Sequence, residues 1–334
     1  MSAAVPNANA APIAWAGRRV LVAGGAGFLG ANLVHKLIRE GASVIVVDRL
    51  LPEGGANRRN LKDVPGTLHM VEGDVGDEHL IAPLVAETEF LFNLAARTSH
   101  TDSMSDPLGD LDANVVSQLH LLETIKRENR AVRIVFAGTR QVYGSPRKLP
   151  VTEEHPLNPP HLNAVHKMAA EGYHRLYDRI YGIPSSVLRL TNCYGPRMRV
   201  KDARQTFVGV WIRLLLEGKP FEVWGGEQKR DFCFSEDVIE ALLAGAEPTA
   251  RGRVFNVGGE VASLRELAEL LVTQVEGHFI VKDFPADRKQ IDIGDFAADD
   301  SAFRATTGWA PRVPLSEGLR HTVDYYRRHL TSYL

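Results

Sequence analysis

An α/β fold with a doubly wound parallel sheet and a smaller C-terminal lobe is predicted by two features of the chain. Short apolar strand patterns alternate with longer helical ones. The first strand pattern, Arg19-Val20-Leu21-Val22-Ala23, runs directly into Gly24-Gly25-Ala26-Gly27-Phe28-Leu29-Gly30 and a helix-like stretch over 31–40. A strand, a glycine turn and a helix N-terminus in that order form a phosphate cradle, where the helix dipole favours negative charge.

Taken in order, each element adds to this reading. Gly24 must turn the chain tightly, a side chain at Gly27 would block approach to a pyrophosphate, and Gly30 lets the helix pack on the strand. Gly24, Gly27, Phe28, Leu29 and Gly30 are therefore candidate cofactor contacts. The second strand pattern, Ser43-Val44-Ile45-Val46-Val47, ends at Asp48 and Arg49, near the roughly 20-residue offset of a ribose-binding carboxylate. An acid there bonds a free ribose hydroxyl and repels a 2′-phosphate, so NAD is expected over NADP. Further strand patterns lie at 67–74, 90–96, 133–139 and 186–191, with helices near 77–86, 108–129 and 163–181. Ligands of such sheets bind at the carboxyl ends of the strands, so Asp74, Ala95, Thr139 and Asn192 should converge. Past Gly195 the pattern loosens, and one strand over 254–257 is expected to return to the main sheet. The division expected is a mobile tail over 1–16, a dinucleotide-binding domain over 17–195 with that returning strand, and a mainly substrate-binding lobe over 196–334.

Composition narrows the function. The 334 residues suffice for a large core, and a net charge of −2 offers no electrostatic case for nucleic acid or an anionic membrane. Cys193 and Cys233 are the only cysteines and suggest neither a disulfide framework nor a metal site. Residues 1–16 lack a basic start and a sustained apolar run, and no segment reads as a bilayer span. A cytoplasmic enzyme is the expectation.

Further motifs follow in order: Gly73-Asp74-Val75, Asn93-Leu94-Ala95-Ala96, Thr139 ahead of Val142-Tyr143-Gly144, Leu190-Thr191-Asn192-Cys193-Tyr194-Gly195-Pro196, Arg230-Asp231-Phe232 and Gly308-Trp309-Ala310-Pro311. Together with the glycine loop they resemble the extended short-chain dehydrogenase/reductase family, the nucleotide-sugar epimerases and dehydratases, over residues 18–330. The resemblance implies a Rossmann domain that binds NAD(P), a lobe that holds a nucleotide-diphosphate sugar, and a homodimer through helices matching 108–129 and 163–181. It implies that Asp74 and Val75 flank the adenine and that Leu94, Ala95 and Ala96 line the dinucleotide. Asn192 would touch the sugar diphosphate, and Arg230 with Arg288 or Lys289 would clamp it. Guanidinium geometry suits paired oxygens.

The catalytic motif departs from the family. Its Y-x-x-x-K pattern places tyrosine and lysine on one helix face; here Lys167 fits, and Asn163 stands four residues before it. An amide cannot accept the proton that a sugar hydroxyl releases. Three readings stay open. In the first, His100, in the loop after the fourth strand, or His161 serves as base; in the second, water held by Thr139 and Asn163 carries the proton; in the third, the protein binds its ligands without turnover. A second departure bears on the reaction. The family's 4,6-dehydratases carry an Asp-Glu pair after the catalytic threonine, and its decarboxylases a glutamate, where this chain has Arg140 and Gln141. Thr139 can bond the reacting hydroxyl and Gln141 the sugar. The resemblance then points to an NAD-dependent epimerase acting through a transient keto-sugar and NADH, most simply at carbon 4. The alternatives are a dehydratase or reductase with atypical acid-base groups, and a non-catalytic NAD and nucleotide-sugar binding protein.

Overall fold

The computed structural model describes residues 12–51, 54–204, 206–285 and 292–334. Six strands of the first half, β1 (Arg19–Ala23), β2 (Ser43–Asp48), β3 (His69–Glu72), β4 (Phe90–Asn93), β5 (Arg133–Thr139) and β6 (Ser185–Leu190), are joined by helices. Short strands β7 (Asn192–Tyr194), β8 (Phe221–Trp224) and β9 (Lys229–Phe234) follow, then β10 (Val254–Val257), β11 (Glu260–Ser263) and β12 (Phe279–Lys282). The main sheet has the order β10-β6-β5-β4-β1-β2-β3 with every neighbour parallel. Strand order reverses between β1 and β4, and that switch point is where ligands of doubly wound sheets bind.

The strands are apolar because both faces are covered. Helix α1 (Phe28–Arg39) buries Ala31, Leu33, Val34 and Leu37 beneath β1 and β2. On the opposite face α2 (Glu78–Ala86) and a broken helical run pack with Leu21, Leu91 and Ile134. That run was expected as one helix over 108–129. It comprises α3 (His100–Ser105), α4 (Pro107–Leu111), a π-helical turn over Asp112–Val116, and α5 (Ser117–Glu128). The π turn coincides with Asn114, whose side chain donates to the Arg97 carbonyl, 17 residues earlier, at 3.1 Å where the regular ladder breaks. Helix α6 (Leu162–Tyr181) is continuous and ends on Gly182 in the left-handed region, φ 74°.

The segment expected as a tail over 1–16 is corrected where it enters the described residues. Trp15 is buried, with ring centroids 4.9 Å from Phe90 and 5.8 Å from Phe92. Ile13 N donates to Glu247 Oε1 at 2.9 Å. A large aromatic side chain that can close the core beside β4 gains more from burial than the short segment loses in freedom. Residues 1–11 lie outside the described residues.

Beyond Gly195 come α7 (Phe207–Leu216), α8 (Ser235–Gly245), α9 (Leu264–Gln274), α10 (Ser301–Thr307) and α11 (Leu315–His329). Strands β11-β9-β7 form one small sheet and β12-β8 another. Their core joins Trp211, Phe221, Leu267, Leu271, Leu319 and Tyr326. The chain also returns to the main sheet: β10 pairs with β6, and Val238, Leu242, Phe303 and Trp309 enter the core that holds Val22 and Val34. Among the described residues no helix is long and apolar enough to cross a membrane.

Candidate functional site

One cavity of about 870 Å³ runs along the carboxyl ends of the strands, bounded by the glycine loop at one end and by β8 and β9 at the other. Its size falls at the upper end of ligand sites. It brings together Gly24, Asp48, Asp74, Ala95, Thr139, Asn163, Lys167, Asn192 and Arg230 with His100 and Gln141. Arg288 and Lys289, the other expected clamp residues, lie outside the described residues.

At the loop end each glycine has a distinct reason. Gly24 has φ 76°, and a Cβ there would come within 2.8 Å of Ala95 N. At Gly30 a Cβ would fall 2.2 Å from the Gly24 carbonyl oxygen. Gly27 has an ordinary extended conformation, and its Cβ would meet just that same oxygen, at 3.3 Å. A Cβ at Gly27 would ask that oxygen to give by a few tenths of an ångström, far less than at Gly24 or Gly30, and Gly27 lines the cavity. No side chain caps α1, and no acid stands in its first turn. An uncapped helix start opposite an open glycine fits a pyrophosphate.

Asp48 is buried at the end of β2. Its Oδ2 accepts from Ala26 N at 3.0 Å and its Oδ1 from Leu50 N at 2.9 Å. Leu50 adopts φ 52° on this turn, a left-handed conformation uncommon for leucine. Burial raises the Asp48 carboxyl above its ordinary range, against the two amide bonds that lower it. Arg49 also lines the cavity, pairing with Asp74 at 2.9 Å and reaching Asp112 at 3.7 Å. Val75, expected beside the adenine, is buried and lines the cavity with Leu94 and Ala96.

The centre of the cavity holds the groups for proton chemistry. Thr139 ends β5, and its Oγ1 accepts from Gln141 N at 3.2 Å, so the hydroxyl hydrogen stays free to donate. Lys167 is buried on α6, its Nζ donating to the Ala137 carbonyl at 3.1 Å and standing 4.9 Å from the Phe136 centroid. Burial pulls its ammonium down to about 8, with the Asp110 charge acting in the other direction.

Asn163 commits its amide hydrogens away from the cavity, to the Arg97 carbonyl at 2.8 Å and Asp110 Oδ2 at 3.1 Å. Asp110 is fully buried, and its Oδ1 lies 2.7 Å from His166 Nδ1. Sequence reasoning missed this Asn163–Asp110–His166 cluster. Asp110 sits in Pro107-Leu108-Gly109-Asp110-Leu111, where a short helical acid reads as solvated.

His100 and His161 stack, with centroids 4.2 Å apart and planes inclined by 22°. The two differ chemically. His161 Nδ1 accepts from Ala164 N at 3.2 Å at the start of α6, so its proton belongs on Nε2, which is buried without a partner. That ring can donate and has no lone pair to offer. The His100 ring makes no hydrogen bond among the described residues, and it lines the cavity. Burial lowers His100 to about 3, with His161 and Arg140 adding to the effect, and burial lowers His161 to about 4. Both rings are neutral at physiological pH.

At the far end Arg230 is buried in β9. Nη1 donates to the carbonyls of Lys229 and Gly294, and Nη2 pairs with Asp292 at 2.8 Å. Among the described residues this leaves Nε and the second Nη2 hydrogen for another acceptor. Asn192 is held from both sides, its Nδ2 donating to the Asp231 carbonyl at 3.1 Å and its Oδ1 accepting from Arg140 at 3.0 Å.

The sequence profile of the NAD dependent epimerase/dehydratase family matches residues 20–258. The chain is 32% identical over 315 residues to a UDP-glucose 4-epimerase of Mycolicibacterium smegmatis, covering 92% of this chain and 98% of that one. It is 31% identical over 323 residues to a dTDP-glucose 4,6-dehydratase of the same bacterium, covering 92% and 93%. Among solved structures, UDP-glucose 4-epimerase from Thermotoga maritima with UDP-glucose superposes with a TM-score of 0.85 at 30% identity, over 93% of this chain and 99% of that one. UDP-N-acetylglucosamine 4-epimerase from Methanobrevibacter ruminantium gives a TM-score of 0.86 at 25% identity, over 94% and 99%.

Proposed function

Because the chain belongs to the NAD dependent epimerase/dehydratase family, we propose that it is an NAD-dependent epimerase of a nucleotide-diphosphate sugar, most simply at carbon 4, with His100 taking the proton that the family's tyrosine would take. The observation that carries this reading is the pairing of the Thr139 hydroxyl and the unbonded His100 ring in one cavity whose catalytic turn bears no carboxyl group. Dehydration and decarboxylation of the family type would need an acid at Arg140 or Gln141. The cavity carboxylates are elsewhere and engaged: Asp292 with Arg230, Glu222 with Lys282, Asp74 with Arg49, and Asp48 with the Ala26 and Leu50 amides.

When bound, the dinucleotide supplies a reversible two-electron acceptor for the sugar carbon. The open face of Gly27 and the bare start of α1 support its pyrophosphate there. Asp48 supports a ribose contact, and Arg49 is paired with Asp74. Lys167 supplies positive charge beside the nicotinamide ribose. Thr139 donates to the reacting oxygen, and the sugar hydroxyl proton passes to a His100 nitrogen and later returns. The anionic substrate raises the proton affinity of that ring. Arg230, joined by Arg288 or Lys289, holds the diphosphate, and Asn192 stands beside it. Residues 17–195 with the returning β10 then bind the dinucleotide, and 196–334 mainly the nucleotide sugar. A homodimer through α5 and α6 is part of the same proposal, supported by exposed Leu119, Leu176 and Ile180 on those helices.

The test is incubation of the protein with a panel of nucleotide sugars, with product separation and proton NMR. An isomeric nucleotide sugar at constant total is the expected product. Binding with no isomer would remove the epimerase reading and leave a binding protein; a 6-deoxy-4-keto product would make it a dehydratase.

A further inference from the structure

We propose that Arg140 is a specificity residue of the sugar subsite that receives a carboxylate carried by the sugar, making nucleoside-diphosphate uronic acids the substrate class. The inference rests on the cavity being a nucleotide-sugar site. Arg140 follows Thr139 directly on the turn that ends β5, lines the cavity, and is only 5% exposed. Its Nη2 donates to Asn192 Oδ1, and its Cζ lies 4.8 Å from the Phe296 centroid. Nη1 is buried with no hydrogen-bond partner among the described residues.

The guanidinium forms no ion pair with a carboxylate among the described residues. Asp231 and Asp292 act on it from farther off, and Arg230 opposes them. Both acids are already committed. Asp231 accepts from Thr191 Oγ1 and from Ala298 N, the latter at 3.0 Å, and Asp292 pairs with Arg230. Burial lowers the Arg140 guanidinium to about 10, so it stays charged at neutral pH.

A buried cation lacking a close counter-charge is expensive, and removing it from water is repaid only by a well-placed anion. Hydroxyls of a neutral hexose cannot repay it. A carboxylate offers two oxygens that match the guanidinium fork. The sugar is favoured as its source over the diphosphate because Arg140 shares its turn with Thr139, which addresses the reacting carbon. Arg230, the diphosphate residue, lies on another strand.

The experiment is calorimetric titration of the full chain with NAD present, using UDP, UDP-glucose and UDP-glucuronate and the corresponding dTDP series. Wild-type protein, Arg140→Gln and Arg140→Lys are compared, with thermal melting as the check on folding. The wild type should bind one of the glucuronates at least about 10-fold more tightly than the matching glucose compound. Arg140→Gln should lose about 10- to 100-fold on the glucuronate and about threefold or less on the glucose compound, with Arg140→Lys between. An equal loss on the bare nucleotide and both sugars would assign Arg140 to the diphosphate and overturn the proposal. A wild type with no preference for the acid overturns it without any variant. A wild type that binds none of the six ligands would remove the nucleotide-sugar reading itself.

Discussion

Replacing Lys167 with methionine should make the cofactor-free protein more stable at pH 7 while abolishing retention of the dinucleotide. Lys167 is buried, makes no ion pair among the described residues, and has its ammonium lowered from 10.5 to about 8, chiefly by burial. A folded-state value below the unfolded one means that the unfolded chain holds the proton more tightly, so this lysine costs stability at low pH. The cost is fully present below about pH 8 and fades as pH rises toward 10.5. Its size at pH 7 is about 3 kcal/mol, and by pH 9.5 about 1 kcal/mol remains. Methionine has similar length and no charge, but it forfeits the bond to the Ala137 carbonyl and the contact with Phe136, together about 2 kcal/mol. The net gain is then about 1 kcal/mol at pH 7. Urea denaturation of both proteins, freed of nucleotide, at pH 7 and pH 9.5 measures this directly. The advantage of the variant should shrink by about 2 kcal/mol between the two conditions. A variant less stable than the parent at pH 7, or a difference that does not change with pH, would show that Lys167 is not a buried charge held at a cost for its ligand.

Gly30→Ala should destabilise the fold by about 1–3 kcal/mol in thermal or urea melts, because its Cβ would press on backbone atoms that cannot swing away. Gly27→Val should cost the melt less than Gly30→Ala, because its Cβ contact is 3.3 Å and not 2.2 Å, and should release the dinucleotide, measured as nucleotide absorbance after denaturing the purified protein. Arg230→Ala should weaken nucleotide-sugar binding by about 1.5–3 kcal/mol with dinucleotide content untouched; unchanged affinity in the folded variant removes the clamp. His100→Ala should lower turnover by about 10²–10⁴ with an unaltered circular dichroism spectrum, and full activity in that variant would return the base to an unidentified group.

The alternating pattern and the glycine loop were enough to place β1, α1, β2 and the returning β10, because buried parallel strands must be apolar on both faces and a phosphate turn requires glycine at fixed offsets. The convergence of Asp74, Ala95, Thr139 and Asn192 on one cavity follows from the same logic, since each stands at or just past a strand end, whereas Lys167 was legible only through the family's Y-x-x-x-K pattern. Single residues were less legible. Trp15 looked like part of a tail because nothing local announces that an aromatic will find Phe90 and Phe92. The break at 112–116 was hidden because its sequence is ordinary helix, and the competing bond from Asn114 goes to a distant carbonyl. Nothing in the chain singles out Asp110, the buried partner of Asn163 and His166. His100 and His161 were indistinguishable as candidate bases in the chain. Sequence alone determined which chemical groups line the strand ends, because strand and helix periodicity is local. Which of those groups is charged, paired or free was decided only by tertiary structure, because hydrogen-bond partners and burial come from segments far apart in the chain.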